Sequence, residues 1–115
     1  MDIGEMCSMK LLEPFSYDEI KITLTRDSVC LADDMEDHTR KAIFIKRNPN
    51  EMTMDIAKGY LPAICGKNHY WECILNNSNY AVIHGNCNSI TIKKEVIFDE
   101  KEDNQLHFKY VSAAN

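Results

Sequence analysis

Two cysteines and two histidines follow a spacing that is compatible with binding a metal ion. Cys65 and His69 form a C-x3-H pair, and His84 and Cys87 form an H-x2-C pair. Thiolate and imidazole groups are the ligands that a structural zinc ion takes in a tetrahedral site. The alternative is that both thiols are half-buried beside polar histidines. Because the spacing matches no zinc module known to us, we expect no metal and no cofactor.

A cysteine paired with a histidine is the second possible site. Any of the five cysteines could meet His69, His84 or His107 in space, since a nucleophile and its base need not be adjacent in sequence. Such pairs arise by chance in a small protein with this composition. The chain has no G-x-S-x-G and no H-E-x-x-H motif, and its four glycines form no phosphate-binding loop. We therefore predict that the protein is not an enzyme.

Two acidic clusters are the third candidate. Their members are Asp33, Asp34, Glu36 and Asp37 in one loop, and Asp99, Glu100, Glu102 and Asp103 in another. Like charges this close cost stability unless solvent or a partner compensates them. Solvated turns explain either cluster alone, whereas two clusters on one small domain favour a negative surface that steers and binds a cationic protein.

Composition limits the possible classes of protein. The 115 residues suit one domain, residues 1–115, in which we expect residues 1–8 and 113–115 to be frayed. Eighteen acidic and thirteen basic residues give a net charge of −5, which argues against binding nucleic acid. An odd number of cysteines without a C-x-x-C pair favours a reducing, cytoplasmic location. No apolar run is long enough to span a bilayer.

The alternation of apolar and polar residues predicts a mainly β domain with antiparallel strands. We expect strands over 19–25, 28–32, 41–46, 70–75, 80–84, 89–98 and 106–111, with a short edge strand over 61–65. The first two would form a hairpin that turns at Arg26 and Asp27. The last four would form a meander whose turns use Asn76, Asn77 and Gly85. The sheet is expected to close as a sandwich or a partial barrel.

One short helix is predicted after Asn50, which would cap it. Met52, Ile56 and Tyr60 follow one another at four-residue spacing, so they would share the buried face. Gly59 would end the helix in a left-handed conformation. An extended segment is the alternative, because Thr53 and Met54 are weak indicators of a helix here.

The chain resembles the bacterial immunity proteins that neutralise toxins of contact-dependent growth inhibition systems. The resemblance is one of general character: a small, acidic, sheet-rich domain without a catalytic signature, with acidic runs over 33–37 and 99–103. It implies a one-to-one complex, in the cytoplasm, between a monomeric immunity protein and a basic nuclease toxin. The toxin's active surface, or the surface with which it recruits a host factor, would be covered.

Overall fold

A computed structural model describes residues 19–29, 37–64 and 68–112 of the chain. In chain order these residues form β1 (Glu19–Arg26), β2 (Arg40–Ile45), α1 (Pro49–Tyr60), β3 (His69–Leu75), β4 (Ser78–His84), β5 (Ser89–Ile92) and β6 (Asn104–Ser112). The prediction of a mainly β domain with one short helix is confirmed. The ends predicted to be frayed, 1–8 and 113–115, lie outside the described residues.

The six strands form one mixed sheet in the order β2-β1-β6-β3-β4-β5, and this sheet is not closed into a barrel. Strands β3, β4 and β5 follow one another as an antiparallel meander. Strand β6 does not continue it beyond β5. It pairs with the other edge of β3 and runs parallel to β1. The connection over residues 93–103 carries the chain from one side of the β3–β4 hairpin to the other.

The prediction that β1 forms a hairpin with residues 28–32 is wrong, because β1 pairs with other strands. β1 pairs with β2 along one edge and with β6 along the other, so both of its edges are used. Ser28 and Val29 are not in a strand, and residues 30–32 lie outside the described part. Asp27 does not make a tight hairpin turn, because its amide donates a 3.0 Å hydrogen bond to the Phe108 carbonyl. That bond extends the contact between β1 and β6.

The strand predicted over 89–98 ends at Ile92, earlier than the alternation indicates. The amides of Lys93 and Lys94 both donate to the Tyr80 carbonyl, at 2.7 and 3.4 Å, so the ladder becomes irregular there. Two apolar positions of the alternation beyond the strand nevertheless face the core, because Val96 is half-buried and Phe98 is buried. Apolar spacing therefore marked the buried positions of this segment but not its backbone conformation.

Helix α1 packs on one face of the sheet. Asn48, rather than Asn50, is its N-cap: the Asn48 side chain accepts a 2.8 Å hydrogen bond from the Asn50 amide. Met52 and Ile56 are buried as predicted. Gly59 does not have a left-handed conformation and does not end the helix. The last helical residue is Tyr60, and the C-cap, Leu61, is extended. Residues 61–64 form no strand, and residue 65 is outside the described part.

The core lies between α1 and the sheet. Its members are Ile20, Ile22, Leu24, Met52, Ile56, Ala57, Trp71, Cys73, Leu75, Tyr80, Ala81, Ile83, Phe98, Leu106 and Phe108. Two ring contacts extend it: Trp71 packs against Tyr110, and Tyr60 of the helix packs against Phe108. Within the described ranges, no helix has the length and apolar character needed to cross a membrane.

Candidate functional site

The acidic loop, defined as residues 99–103, leads directly into β6 and is held by a buried amide. Asn104 is fully buried, and its Nδ2 donates to the carbonyls of Lys21 and Asp99 at 3.0 and 2.9 Å. Its Oδ1 accepts from the Asp99 amide at 2.8 Å and from the Asn76 side chain at 3.1 Å. One side chain thus joins the loop to β1 and to the β3–β4 turn.

The Asp99 carboxylate organises the loop from within. Its Oδ1 accepts hydrogen bonds from the amides of Lys101 and Glu102, at 2.8 and 2.9 Å. These hydrogen bonds, first that from Glu102 and then that from Lys101, lower the pKa of the Asp99 carboxyl below its ordinary value. The Asp99 carboxylate therefore stabilises the loop conformation and also adds negative charge to the surface.

The other three carboxylates of the loop differ in their contacts. Asp103 Oδ2 accepts from the Thr23 hydroxyl at 2.6 Å and from the Gln105 amide group at 2.9 Å. Glu100 forms an ion pair with Lys46. Glu102 is exposed, and its side chain makes no hydrogen bond or ion pair to the described residues. The acidic loop is consequently held at its base by hydrogen bonds. Among its carboxylates, that of Glu102 has the fewest contacts with the described residues.

An exposed isoleucine lies on the same connection, shortly before the acidic loop. Ile97 is 84% exposed between half-buried Val96 and buried Phe98. The buried neighbours hold the backbone at this position, so a partner that covers the side chain has to order little more than its rotamers. The segment 93–103 therefore combines an apolar contact point with the acidic loop, and its five carboxylates outnumber its three lysines. An apolar centre with a polar, charged rim is typical of a protein-binding surface. We call this segment the 93–103 surface.

The first predicted acidic cluster is described only at its last member. Asp33, Asp34 and Glu36 lie outside the described residues, and Asp37 is exposed. The Asp37 carboxylate accepts a 2.9 Å hydrogen bond from the Thr39 amide, which lowers the pKa of the carboxyl. A partner-binding role for this cluster stays a prediction.

The two histidines of the alternative zinc site do not converge. His69 lies on the helix-covered face with Trp71, and His84 lies on the opposite face because it pairs with Tyr70. His84 Nε2 instead lies 2.9 Å from the Thr91 hydroxyl. Cys65 is outside the described residues, and within the described ones no three His, Cys, Asp or Glu side chains are grouped to hold a metal ion. His69 and His84 therefore cannot bind the same ion from opposite faces of the sheet.

Neither described cysteine has the properties of a nucleophile. Burial raises the pKa of the Cys73 thiol to about 12, and burial also raises the pKa of the Cys87 thiol. A reactive cysteine requires the opposite, a lowered pKa in an electropositive site. His69, the nearest histidine by sequence to Cys73, has a buried Nε2 that finds no hydrogen-bond partner among residues 19–29, 37–64 and 68–112. Both described thiols therefore act as small apolar groups.

A hydroxyl, an imidazole and a carboxylate meet on the helix-free face, which sequence reasoning missed. Thr25 Oγ1 lies 2.8 Å from His107 Nδ1, and His107 Nε2 lies 3.0 Å from Asp27 Oδ1. The second Asp27 oxygen accepts from the Tyr110 amide at 3.0 Å. No sequence signal reveals this group, because β1 and β6 are about eighty positions apart and their parallel pairing is not encoded in alternation.

This Thr25–His107–Asp27 group is best explained as a structural cross-strand network. A catalytic hydroxyl needs a neighbouring cavity for substrate and donors for the developing oxyanion. None of the three residues lines either of two clefts found among the described residues. The network therefore connects the end of β1 to β6.

The larger of those clefts, about 570 Å³, is lined in part by residues 94–98 of the 93–103 surface. It lies between the N-terminus of α1 and the segment that leaves β5. The smaller one, about 180 Å³, lies at the C-terminal end of α1 and is lined by Trp71, Cys87 and Lys58, among others. The larger cleft falls in the volume range of small-molecule sites.

Comparison of the chain with protein-family models, with curated proteins and with solved structures finds no match.

Proposed function

We propose that this chain is an immunity protein that binds and neutralises a cognate basic nuclease toxin in the bacterial cytoplasm. The observation that carries the proposal is the 93–103 surface, where exposed Ile97 stands next to a rigid acidic loop. The overall charge of −5 supports the same partner chemistry, because it attracts a cationic protein at long range. The described residues offer no activated thiol and no metal-binding group that would favour catalysis.

The two parts of the surface have different roles in binding. Carboxylates at the rim accelerate association and set specificity, whereas a fixed apolar side chain mainly slows dissociation. Glu102 is the best probe of the rim because its side chain supports nothing else among the described residues. Ile97 is the best probe of the apolar contact because, at 84% exposure, it contributes little to the core.

As the candidate partner, the experiment takes a nuclease domain encoded by a gene adjacent to the gene for this chain. Nuclease inhibition is measured first, and association and dissociation rates are then measured by surface plasmon resonance at two salt concentrations. We expect Glu102→Lys to slow association roughly fivefold at low salt, with a smaller effect at high salt. Ile97→Asp should accelerate dissociation without lowering the melting temperature.

Two lysine reversals provide matched controls. Lys101 belongs to the acidic loop, so Lys101→Glu should accelerate association, the opposite of Glu102→Lys. Lys109 is exposed in β6 outside the 93–103 surface, so Lys109→Glu makes the same charge change elsewhere. Equal effects of Lys101→Glu and Lys109→Glu would mean that only net charge matters. A neighbouring nuclease that this chain neither binds nor inhibits would refute the proposed function itself.

A further inference from the structure

Strand β2 has one edge without a partner strand among the described residues. It lies at the end of the sheet and pairs with β1 alone, in the register that joins Glu19 to Ile45 and Leu24 to Arg40. Along a strand, every second residue points its N–H and C=O groups away from the neighbouring strand. The outer edge of β2 therefore carries a row of free donors and acceptors, which is a template for a further strand.

Two isoleucines make this edge unusually apolar. Ile43 and Ile45 are 59% and 60% exposed. They point to the helix-free face, because Phe44 between them pairs with Ile20, which is buried in the core. Natural edge strands commonly carry charges or proline that prevent pairing, whereas Lys41 supplies the only charge on this face of β2. Exposed apolar side chains beside an open edge indicate a surface that pairs with another strand.

A second copy of the same chain fits this edge in an antiparallel arrangement. A two-fold axis perpendicular to the sheet leaves equivalent side chains on the same face in both copies. With the axis at Ile43, the two Ile43 side chains lie side by side on the helix-free face. On the helix-covered face, Phe44 of each copy then lies opposite Ala42 of the other, so a large side chain meets a small one.

The charges favour this position of the axis. It places Lys41 of one copy opposite Ile45 of the other, and Glu19 is the neighbour of that Ile45 in β1. The stem of Lys41 packs on the isoleucine while its ammonium group faces Glu19, and the symmetry forms this contact twice. Both charged side chains are exposed, and neither is in an ion pair with the described residues. With the axis one residue earlier or later, Lys41 would lie beside Lys21 or opposite Arg47, and the attraction would become a repulsion.

Like charges meet at the ends of the paired strands. Arg40 lies opposite Lys46 of the other copy, but Lys46 forms an ion pair with Glu100, and the Arg40 guanidinium lies 5.3 Å from the centre of the Tyr60 ring. These contacts reduce the repulsion without removing it. Since edge pairing also buries little area compared with a permanent interface, we expect a weak dimer.

We propose that two copies of this chain associate through the outer edges of β2, so that their six-stranded sheets become one continuous sheet. Ile43 lies at the centre of the contact, and the two pairs of Lys41 and Glu19 flank it. The contact lies on β2 and not on the 93–103 surface. Self-association is therefore separate from toxin neutralisation and does not rest on it.

Sedimentation equilibrium of the full chain measures the association, from micromolar to millimolar protein concentration. A reducing agent is present because the chain has five cysteines. We expect a reversible equilibrium between monomer and dimer, in which the dimer becomes populated toward the millimolar end. A chain that stays monomeric throughout, as the resemblance to immunity proteins implies, would refute the proposal. Growth beyond the dimer would also refute it, because a two-fold contact occupies the edge of β2 completely.

Two isoleucine substitutions locate the contact. Ile43→Lys puts two ammonium groups side by side at the axis and should abolish dimerisation, while the melting temperature stays close to that of the wild type because the side chain is exposed. Ile97→Lys is the matched control: it makes the same change at another exposed isoleucine, on the 93–103 surface, and should leave the dissociation constant nearly unchanged. Dimerisation that survives Ile43→Lys, or that is lost in Ile97→Lys, would overturn the proposal.

A charge exchange tests the register of the two strands. Lys41→Glu and Glu19→Lys should each weaken the dimer roughly tenfold, because each turns two attractions into two repulsions. The two changes shift the net charge in opposite directions, so a loss in both variants cannot come from net charge. The double variant Lys41→Glu/Glu19→Lys restores both pairs and should return the affinity close to that of the wild type. Additive losses in the double variant would refute the register.

Discussion

Replacement of Asn104 is the most informative test of how the acidic loop is held. The Asn104 side chain makes four well-formed hydrogen bonds, to Lys21, Asp99 (two bonds) and Asn76, with donor–acceptor distances of 2.8 to 3.1 Å. A buried neutral hydrogen bond contributes about 1 kcal/mol, so Asn104→Ala should lower the free energy of unfolding by about 3–4 kcal/mol. For a domain of this size, that loss corresponds to a decrease in melting temperature of roughly 12–25 °C.

The isosteric change Asn104→Asp tests the direction of the same hydrogen bonds. The carboxylate keeps the shape but turns the donating Nδ2 into an acceptor that faces the carbonyls of Lys21 and Asp99. The ionised form is destabilised there, so the pKa of the introduced carboxyl should be raised in the folded state. A group of this kind contributes its stability below its unfolded-state pKa, and the contribution is lost as the pH rises. The deficit of Asn104→Asp relative to wild type should therefore be largest near neutral pH and smaller in acid.

The free energy of unfolding of both variants is measured by urea denaturation, followed by circular dichroism. The slope m of this free energy against urea concentration should be the same in the variants and the wild type. Asn88→Ala is the matched control, because Asn88 is an exposed asparagine whose side chain makes no hydrogen bond to the described residues. We expect this control to change the unfolding free energy by less than about 0.5 kcal/mol. If Asn104→Ala were as mild as the control, the buried amide would not hold the loop, and the reasoning would be refuted.

Three further predictions concern individual side chains. Because hydrogen bonds lower the pKa of Asp99 in the folded state, the ionised carboxylate stabilises the fold above the unfolded-state pKa, and this stabilisation is lost as the pH falls. Asp99→Asn should therefore make the free energy of unfolding, measured in urea, depend less on pH in the acid range. Iodoacetamide at pH 8 should leave Cys73 unmodified in the native protein and modify Cys87 slowly, as peptide mass spectrometry can verify, whereas equal rates would contradict the burial argument. Tyr80→Phe should cost about 1–2 kcal/mol in urea unfolding because it leaves the buried Thr53 hydroxyl without its partner, and the double change with Thr53→Val should cost less than the sum of the two single changes.

Periodic features were predictable from the sequence because they depend on local geometry alone. In β6 the alternation placed Leu106 and Phe108 in the core and Gln105 on the other face, as the structure has them. The turn at Asn76 and Asn77 was predicted because asparagine tolerates left-handed backbone, and φ is 48° and 72° at these residues. Four-residue spacing likewise identified the buried face of α1. Each of these inferences concerns neighbours within a few positions.

Features that depend on distant pairing were not predictable. Alternation shows which face of a strand is buried but not which strand lies beside it, so the parallel contact of β1 with β6 and the pairing of β1 with β2 were missed. The Thr25–His107–Asp27 network was missed for the same reason. The role of Asn104 was not predictable either, since nothing in its neighbours indicates that an amide beside an acidic run is buried.

The same limitation changes how the acidic loop should be tested. Sequence alone counts Asp99, Glu100, Glu102 and Asp103 as four equivalent negative charges. In the structure, Asp99 and Asp103 accept the hydrogen bonds that shape the loop and attach it to Thr23, and Glu100 is paired with Lys46. Reversing all four charges would change stability and binding together, so a lost interaction would have no single cause. A reversal at Glu102 alone changes the field at the rim and leaves the hydrogen bonds intact, and it therefore isolates the electrostatic contribution to binding.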